Sequence, residues 1–258
     1  MRTNMILALA AAITAPLAFA ASPAAAEDAP ASSITVSGGA TLVSDYRFRG
    51  ISQTDKRAAI QGTFTIAHAS GFYATVWGSS VDDYVTASGQ SHQEIDLIAG
   101  YKKTVGGTTF DLGALYYVYP KRKLTGDRTS SNFIEPYLAI SHTIGPVTGK
   151  ATVNYSPKQK ALALDQIGPK RDNVYLAGDL SASIPQTALA LSAHLGHTWG
   201  PSWLSIGKQY TDWNLGATYT WNHITVGVQY VDTNGDFITP TGKNASKAGV
   251  VGSVGVAF

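Results

Sequence analysis

The residues with the greatest chemical potential lie in Ser44-Asp45-Tyr46-Arg47-Phe48-Arg49-Gly50-Ile51-Ser52-Gln53, where one carboxylate and two guanidinium groups alternate with aromatic rings. In extended backbone, alternate side chains point to opposite faces. Asp45, Arg47 and Arg49 would therefore share one face, and Tyr46 and Phe48 the other. Fixed cations at a pore mouth attract anions. The plainer reading of the same residues is an ion pair that braces a rim. Hydrolytic chemistry would need a nucleophile, a base and an orienting group on one rim. The six histidines, at 68, 92, 142, 194, 197 and 223, are scattered instead. The sequence has no GxSxG, no HExxH and no glycine-rich phosphate loop. His194 and His197 are three apart in a strand-like segment, so they face opposite ways and cannot share a metal. No catalytic residue, metal or cofactor is expected.

The elements that would position these residues are announced by composition. The chain has 258 residues, of which 14% are charged, against roughly 25% in ordinary soluble domains. Yet mean hydropathy is zero. Glycine (26 residues) and small polar side chains fill the difference, and aromatics make up 10%. Disorder would need more charge and fewer rings, and a helical membrane bundle would be more apolar. The absence of cysteine excludes a disulfide framework and thiolate metal sites. A net charge of +2 argues against nucleic acid as a partner.

Arg2 precedes a charge-free, Ala/Leu/Ile-rich stretch that reads as a secretory signal peptide. Cleavage fits after Ala20 or after Ala26. The second is preferred because Glu27-Asp28 makes a polar start. The expected organisation is a signal peptide over 1–26, a short periplasmic tether over 27–33 and one domain over 34–258.

That domain alternates with period two. In 223–231, Ile224, Val226, Val228 and Tyr230 oppose Thr225, Gly227 and Gln229. Twelve such segments are expected, at 34–48, 58–68, 72–81, 92–102, 108–118, 132–142, 147–156, 172–184, 188–199, 210–221, 223–232 and 247–258. Most have the length a tilted strand needs to cross a bilayer, about 9–11 residues. Connections alternate strictly between short and long, as periplasmic turns and external loops do in outer-membrane barrels. The expected fold is all-β: a transmembrane antiparallel β-barrel of twelve strands. A secreted β-sandwich would also alternate, but it has no reason for long strands or for alternating loop lengths.

Parity then assigns faces. Apolar residues meet lipid, with aromatics such as Phe72, Tyr101, Phe110, Trp221 and Phe258 near the inner turns and Tyr116 and Trp213 near the outer loops. Small polar residues face inward, which implies a narrow water-filled pore. Tyr46 and Phe48 continue the outward face of the first strand. The inward charges, candidates for pore lining or mouth, are Asp45, Arg47, Arg49, Glu94, Asp96, Asp111, Glu135, Lys150 and Asp179, with Lys102 beside them. Glu94, Asp96 and Glu135 fall at roughly the depth of the arginines. The loops 119–131 and 156–171 are basic, which suits lipopolysaccharide phosphates or a funnel for anions. Within the second, Ala161-Leu162-Ala163-Leu164 is apolar enough to fold into the lumen as a constriction.

The Ser44–Gln53 motif resembles the N-terminal signature of a proteobacterial family taken to be porins, the TorF or Gcw_chp family. The resemblance extends over the mature chain in length, strand layout and terminal Phe258. It implies an outer-membrane barrel of a Gram-negative bacterium and no particular substrate. The size is also similar to that of the small oligogalacturonate and sialic-acid porins, without a shared motif. Phe258 behind alternating apolar residues resembles the terminal signal read by the barrel assembly machinery. The expected function is a monomeric porin-like channel for passive diffusion of small hydrophilic solutes, in contact with outer-membrane lipid and lipopolysaccharide. A closed structural or surface-binding barrel is the alternative, and an outer-membrane hydrolase the third reading.

Overall fold

A computed structural model gives the structure of the protein and describes residues 33–86, 91–120, 130–164 and 168–258. The expected signal peptide lies outside the described residues, as does the tether apart from Ser33. So do the basic residues between 121 and 129.

The strands are β1 (Ile34–Val43), β2 (Arg47–Phe48), β3 (Ile51–Ser52), β4 (Ala59–His68), β5 (Phe72–Ser80), β6 (Gln93–Val105), β7 (Thr108–Val118), β8 (Phe133–Ile144), β9 (Val147–Gln159), β10 (Arg171–Ser183), β11 (Leu189–Trp199), β12 (Tyr210–Trp221), β13 (Ile224–Thr233) and β14 (Gly249–Ala257). Twelve of them, all but β2 and β3, close into one antiparallel barrel. Each pairs with its neighbour in sequence, and β14 returns to β1 with Gly39 opposite Ala257 and Val43 opposite Ser253. Closure leaves no strand edge with unpaired N–H and C=O groups, the condition hydrocarbon imposes on a sheet.

The period-two pattern becomes a two-faced wall. Val43 is 0% exposed and its neighbour Leu42 is 58% exposed, because one points into the barrel and the other to lipid. Along β13, Thr225, Gly227, Gln229 and Val231 are buried between the exposed Ile224, Val226, Val228 and Tyr230. Aromatics ring both ends of the apolar band. Phe72 and Tyr101 pack at 4.9 Å near the inner turns, where Trp221 and Phe258 are also exposed. At the outer rim Trp213 packs on Tyr230 at 5.5 Å.

The inner turns are tight. Val105 and Thr108 are joined by Gly106-Gly107 with φ of 56° and 79°. Two successive left-handed residues form the turn whose twist matches the flanking strands.

The expected first strand, 34–48, is longer than the observed one. β1 ends at Val43, and the chain then leaves the wall and enters the lumen. β2 and β3 form a separate small hairpin, with Arg47 opposite Ser52 and Phe48 opposite Ile51. Strand parity therefore stops applying before Tyr46. The expectation that Tyr46 and Phe48 face lipid is corrected: Tyr46 is buried inside the barrel and Phe48 packs against the lumenal cluster.

The wall predicts an asymmetric response to charge. Val228→Arg, facing acyl chains midway along β13, should cost about 2–4 kcal/mol in equilibrium unfolding from a bilayer. Thr63→Lys, facing the wet inner lumen, should cost less than about 1 kcal/mol.

Candidate functional site

The hairpin is built by a two-residue turn. Arg49 and Gly50 have φ of 47° and 81°, the paired left-handed conformations of a type I′ turn. Gly50 is required twice. A Cβ there would be strained by the positive φ and would lie 2.9 Å from the Cβ atoms of Asp212 and Thr233 on the far wall. The hairpin thus spans the lumen from β1 to β12 and β13.

Each charged residue of the motif finds a buried partner. Arg49 donates from Nη2 to both carboxylate oxygens of Glu135, at 2.7 and 2.9 Å, and from Nη1 to Asn173 Oδ1 at 3.2 Å. Its guanidinium also sits 4.0 Å over the Tyr175 ring. The Arg49 and Glu135 side chains are 0% and 1% exposed. Glu135 accepts further hydrogen bonds from Asn154 at 3.0 Å and Ser156 at 2.6 Å. Burial opposes a charge on Arg49, but the Glu135 carboxylate outweighs it, and the guanidinium is held above its ordinary pKa.

Arg47 serves the hairpin's own geometry. Its Nε donates to Asp45 at 2.6 Å, and its Nη1 donates to the carbonyls of Gly50, Ala245 and Lys247 at 3.0–3.2 Å. Asp45 also accepts from Ser52 Oγ at 2.6 Å and Thr54 Oγ1 at 3.2 Å. Next along the chain, Asp55 accepts from the Thr239 and Thr241 hydroxyls and pairs with Lys243, each at 3.0 Å, tying the first external loop to the last. Burial would raise the Asp55 pKa, but Lys243, Thr241 and Thr239 hold it below its ordinary value.

Glu94 and Asp96 stand on the same level. Tyr46 and Tyr119 donate to Glu94 at 2.7 and 2.8 Å, while Oδ1 of the buried Asp96 has no hydrogen-bond partner among the described residues. Tyr117 stacks on Phe133 at 4.2 Å, and the buried Leu162 and Leu204 join this cluster. The apolar segment Ala161-Leu162-Ala163 therefore does pack inward, beside the hairpin. The outer half of the lumen is a packed interior.

The inner half differs. Lys102 Nζ lies 3.6 Å from Asp111, which also accepts from Tyr73 at 2.8 Å. His194 lies between Asp179, 2.6 Å from Nδ1, and Asp212, 3.1 Å from Nε2, with the Tyr175 hydroxyl 2.9 Å away. Lys150 faces Asp179 across the β9–β10 ladder. Asp111, Asp212 and Tyr175 are buried, Lys102, Lys150, Asp179 and His194 are partly exposed, and toward the turns the lining is mostly Thr, Ser, Gly and Ala. Bulky rings lie flat along the wall here. Tyr73 and Tyr137 cover Gly100 and Gly113 on adjoining strands, where added Cβ atoms would fall 2.6 Å from their hydroxyls. The rings take the space those glycines leave.

The candidates thus fall into two groups. Asp45, Arg47, Arg49, Glu94, Asp96 and Glu135 line the packed outer level, and only Arg49 with Glu135 and Asp45 with Arg47 pair directly. Asp111, Lys150 and Asp179 lie below it. The first loop occupies the outer half of the lumen, while small inward residues near the inner turns, such as Thr63 and Thr65, stay at least partly exposed. Sequence reasoning missed His194, Asp212, Tyr175 and Asn173. Asp212 continues the face of Asn214, and His194 sits opposite Asn214 in the β11–β12 register, so parity carried through β12 would have found both.

A family model described as "Bacterial protein of unknown function (Gcw_chp)" matches residues 27–257. The chain belongs to this Gcw_chp family. No curated protein matches the sequence. The fold of this Gcw_chp protein is similar to two solved porins. One is the NanC porin, with a TM-score of 0.57 and 11% identity over 87% of this chain and 99% of that one. The other is the KdgM porin, solved in complex with disordered oligogalacturonate, with a TM-score of 0.53 and 12% identity over 87% of this chain and 98% of that one.

The buried pair gives a test. Arg49→Met and Glu135→Leu should each cost about 3–5 kcal/mol in unfolding from bilayers, since each leaves one buried charge unpaired. The double variant should lose much less than their sum. Additive losses would show that the two residues act independently.

Proposed function

We propose that this Gcw_chp protein is an outer-membrane, porin-like channel for small hydrophilic solutes, held shut by its first external loop. One observation carries the reading. The first-loop hairpin, with Ala161-Leu162-Ala163 beside it, fills the outer half of a barrel whose inner half is polar and lined mostly by small side chains. A barrel serving structure alone would have no need to keep that half hollow, since bulky inward residues could fill it. The likeness to the NanC and KdgM porins supports the same class, without assigning their solutes to this chain.

The paired charges suit a gate. Arg49 and Glu135 satisfy each other in the closed form, and both would meet water if the hairpin withdrew. The charges below, Lys102, Lys150, Asp111 and Asp179, carry both signs, so a solute would meet a mixed field. The rival reading, a barrel closed permanently and used for surface binding, draws support from the near-complete burial of the Arg49–Glu135 pair. Hydrolysis has weaker support. Among the described residues, no histidine is bonded to both a serine or threonine and a carboxylate: His68 meets Ser70, His142 meets Thr108 and His197 meets Thr211.

Planar-bilayer recording decides between channel and closed barrel. The intact protein should give small or rare openings. A variant with residues 47–52 replaced by a short Gly/Ser linker should give frequent steps of larger conductance. A folded linker variant that conducts no better than lipid alone would remove the channel reading.

A further inference from the structure

The first external loop leaves the hairpin at Gln53 and meets the last one, 234–248, at the outer rim, where both backbones are pinned. The Ser52 N–H donates to the Ala245 carbonyl at 3.0 Å, and Arg47 holds the carbonyls of Ala245 and Lys247. Lys243 Nζ bonds both the carboxylate and the carbonyl of Asp55, each at 3.0 Å. Asp55 and Lys56 are consecutive left-handed residues, with φ of 52° and 60°, and the Lys56 N–H donates to Ser52 Oγ at 2.9 Å. Lys56 of the first loop thereby comes close enough to Lys243 and Lys247 of the last for their charges to repel.

The carboxylates nearby are already engaged. Asp45 is bonded to Arg47 and Asp55 to Lys243. Arg57, next to Lys56, pairs with Asp82, and the exposed Asp236 accepts from Asn244 at 3.2 Å. Two ammonium groups are left over. Among the described residues, neither Lys56 Nζ nor Lys247 Nζ has a hydrogen-bond or ion-pair partner. Burial and the cations Arg47, Lys247 and Lys243 hold Lys56 below its ordinary pKa, with Asp45 opposing them in part. Lys56 is thus a partly buried cation kept beside like charges.

We propose that Lys56 and Lys247, with Lys243 beside them, form a binding site for a phosphate-bearing anion at the outer rim, bridging the first external loop to the last. A phosphate monoester carries about −1.5 to −2 charges at pH 7 and three strong acceptor oxygens, which matches two ammonium groups without partners. Such an anion relieves the repulsion at Lys56. Lysine serves phosphate as a point charge with rotatable donors, whereas a planar carboxylate suits the arginine fork, and Arg47 and Arg57 are both committed to aspartates. A lipid headgroup of the outer leaflet and a soluble phosphate present the same chemistry. The site does not depend on whether the lumen conducts.

The test uses the full chain in phosphatidylcholine nanodiscs, with its lysines reductively methylated with carbon-13, which preserves their charge and gives each an NMR signal. One arm adds inorganic phosphate, with chloride at equal ionic strength as the blank. The other replaces part of the lipid with lipid A. The Lys56 and Lys247 signals should move saturably, while that of Lys103 near an inner turn should not. Movement with phosphate supports the site and shows that a soluble anion suffices; movement with lipid A alone supports it and assigns a headgroup. Lys56→Met should weaken the response of Lys247 about tenfold, and Lys247→Met that of Lys56. Heat-modifiable migration on gels identifies correctly folded variants, and either variant alone carries the test. Signals that move no more than in chloride in both arms, or an affinity unchanged in a folded variant, would overturn the proposal.

Discussion

Backbone polarity in a medium without water is the constraint from which the rest of this structure follows. Each barrel strand must satisfy its N–H and C=O groups through its neighbours, so the sheet closes. Closure fixes the alternation of faces, and the alternation decides where chemistry can occur. The wall carboxylates and lysines placed above, Glu94, Asp96, Lys102, Asp111, Glu135, Lys150, Asp179 and Asp212, all point inward. None could face acyl chains without a cost of several kcal/mol near the midplane. The lumen is thus where carboxylates and guanidinium groups can gather at membrane depth.

Within that lumen, two regimes share one wall. The outer half is packed, and two of its carboxylates are matched in place: Glu135 by Arg49, Asn154 and Ser156, and Asp45 by Arg47, Ser52 and Thr54. A buried ion pair adds little net stability over an apolar pair of the same shape, but losing one member is costly. Such an arrangement favours a single seated position of the hairpin over a range of loose ones. In the inner half, Lys102, Lys150, Asp179 and His194 keep partial exposure, so these groups are held less tightly than Arg49 and Glu135.

Much of this was legible in the sequence because strand period is exactly two. The twelve spans lie within a few residues of the observed strands, except for the end of the first. Glu94, Asp96, Asp111, Glu135, Lys150 and Asp179 were placed inward by counting alone. Counting failed at Tyr46 and Phe48 because periodicity describes a strand only while the strand lasts. The break was nevertheless written in the chain: Arg49-Gly50 flanked by Phe48 and Ile51 has the form of a two-residue hairpin turn. What no local pattern could supply is where that hairpin docks. Its partners, Glu135, Asn173, Ala245 and Lys247, come from distant parts of the chain, and their meeting depends on the closed circle of strands.

That separation bears on the order of events during biogenesis. The plug is made near the N-terminus, yet Arg47 is satisfied by carbonyls at 245 and 247, which immediately precede the last strand. Its final seat cannot exist until β14 has met β1. The hairpin must therefore wait, hydrated and unanchored, while the cylinder is assembled around it, and docking becomes a late, long-range step of the kind that slows maturation. A newly inserted barrel would pass through a stage with its wall complete and its centre still unoccupied.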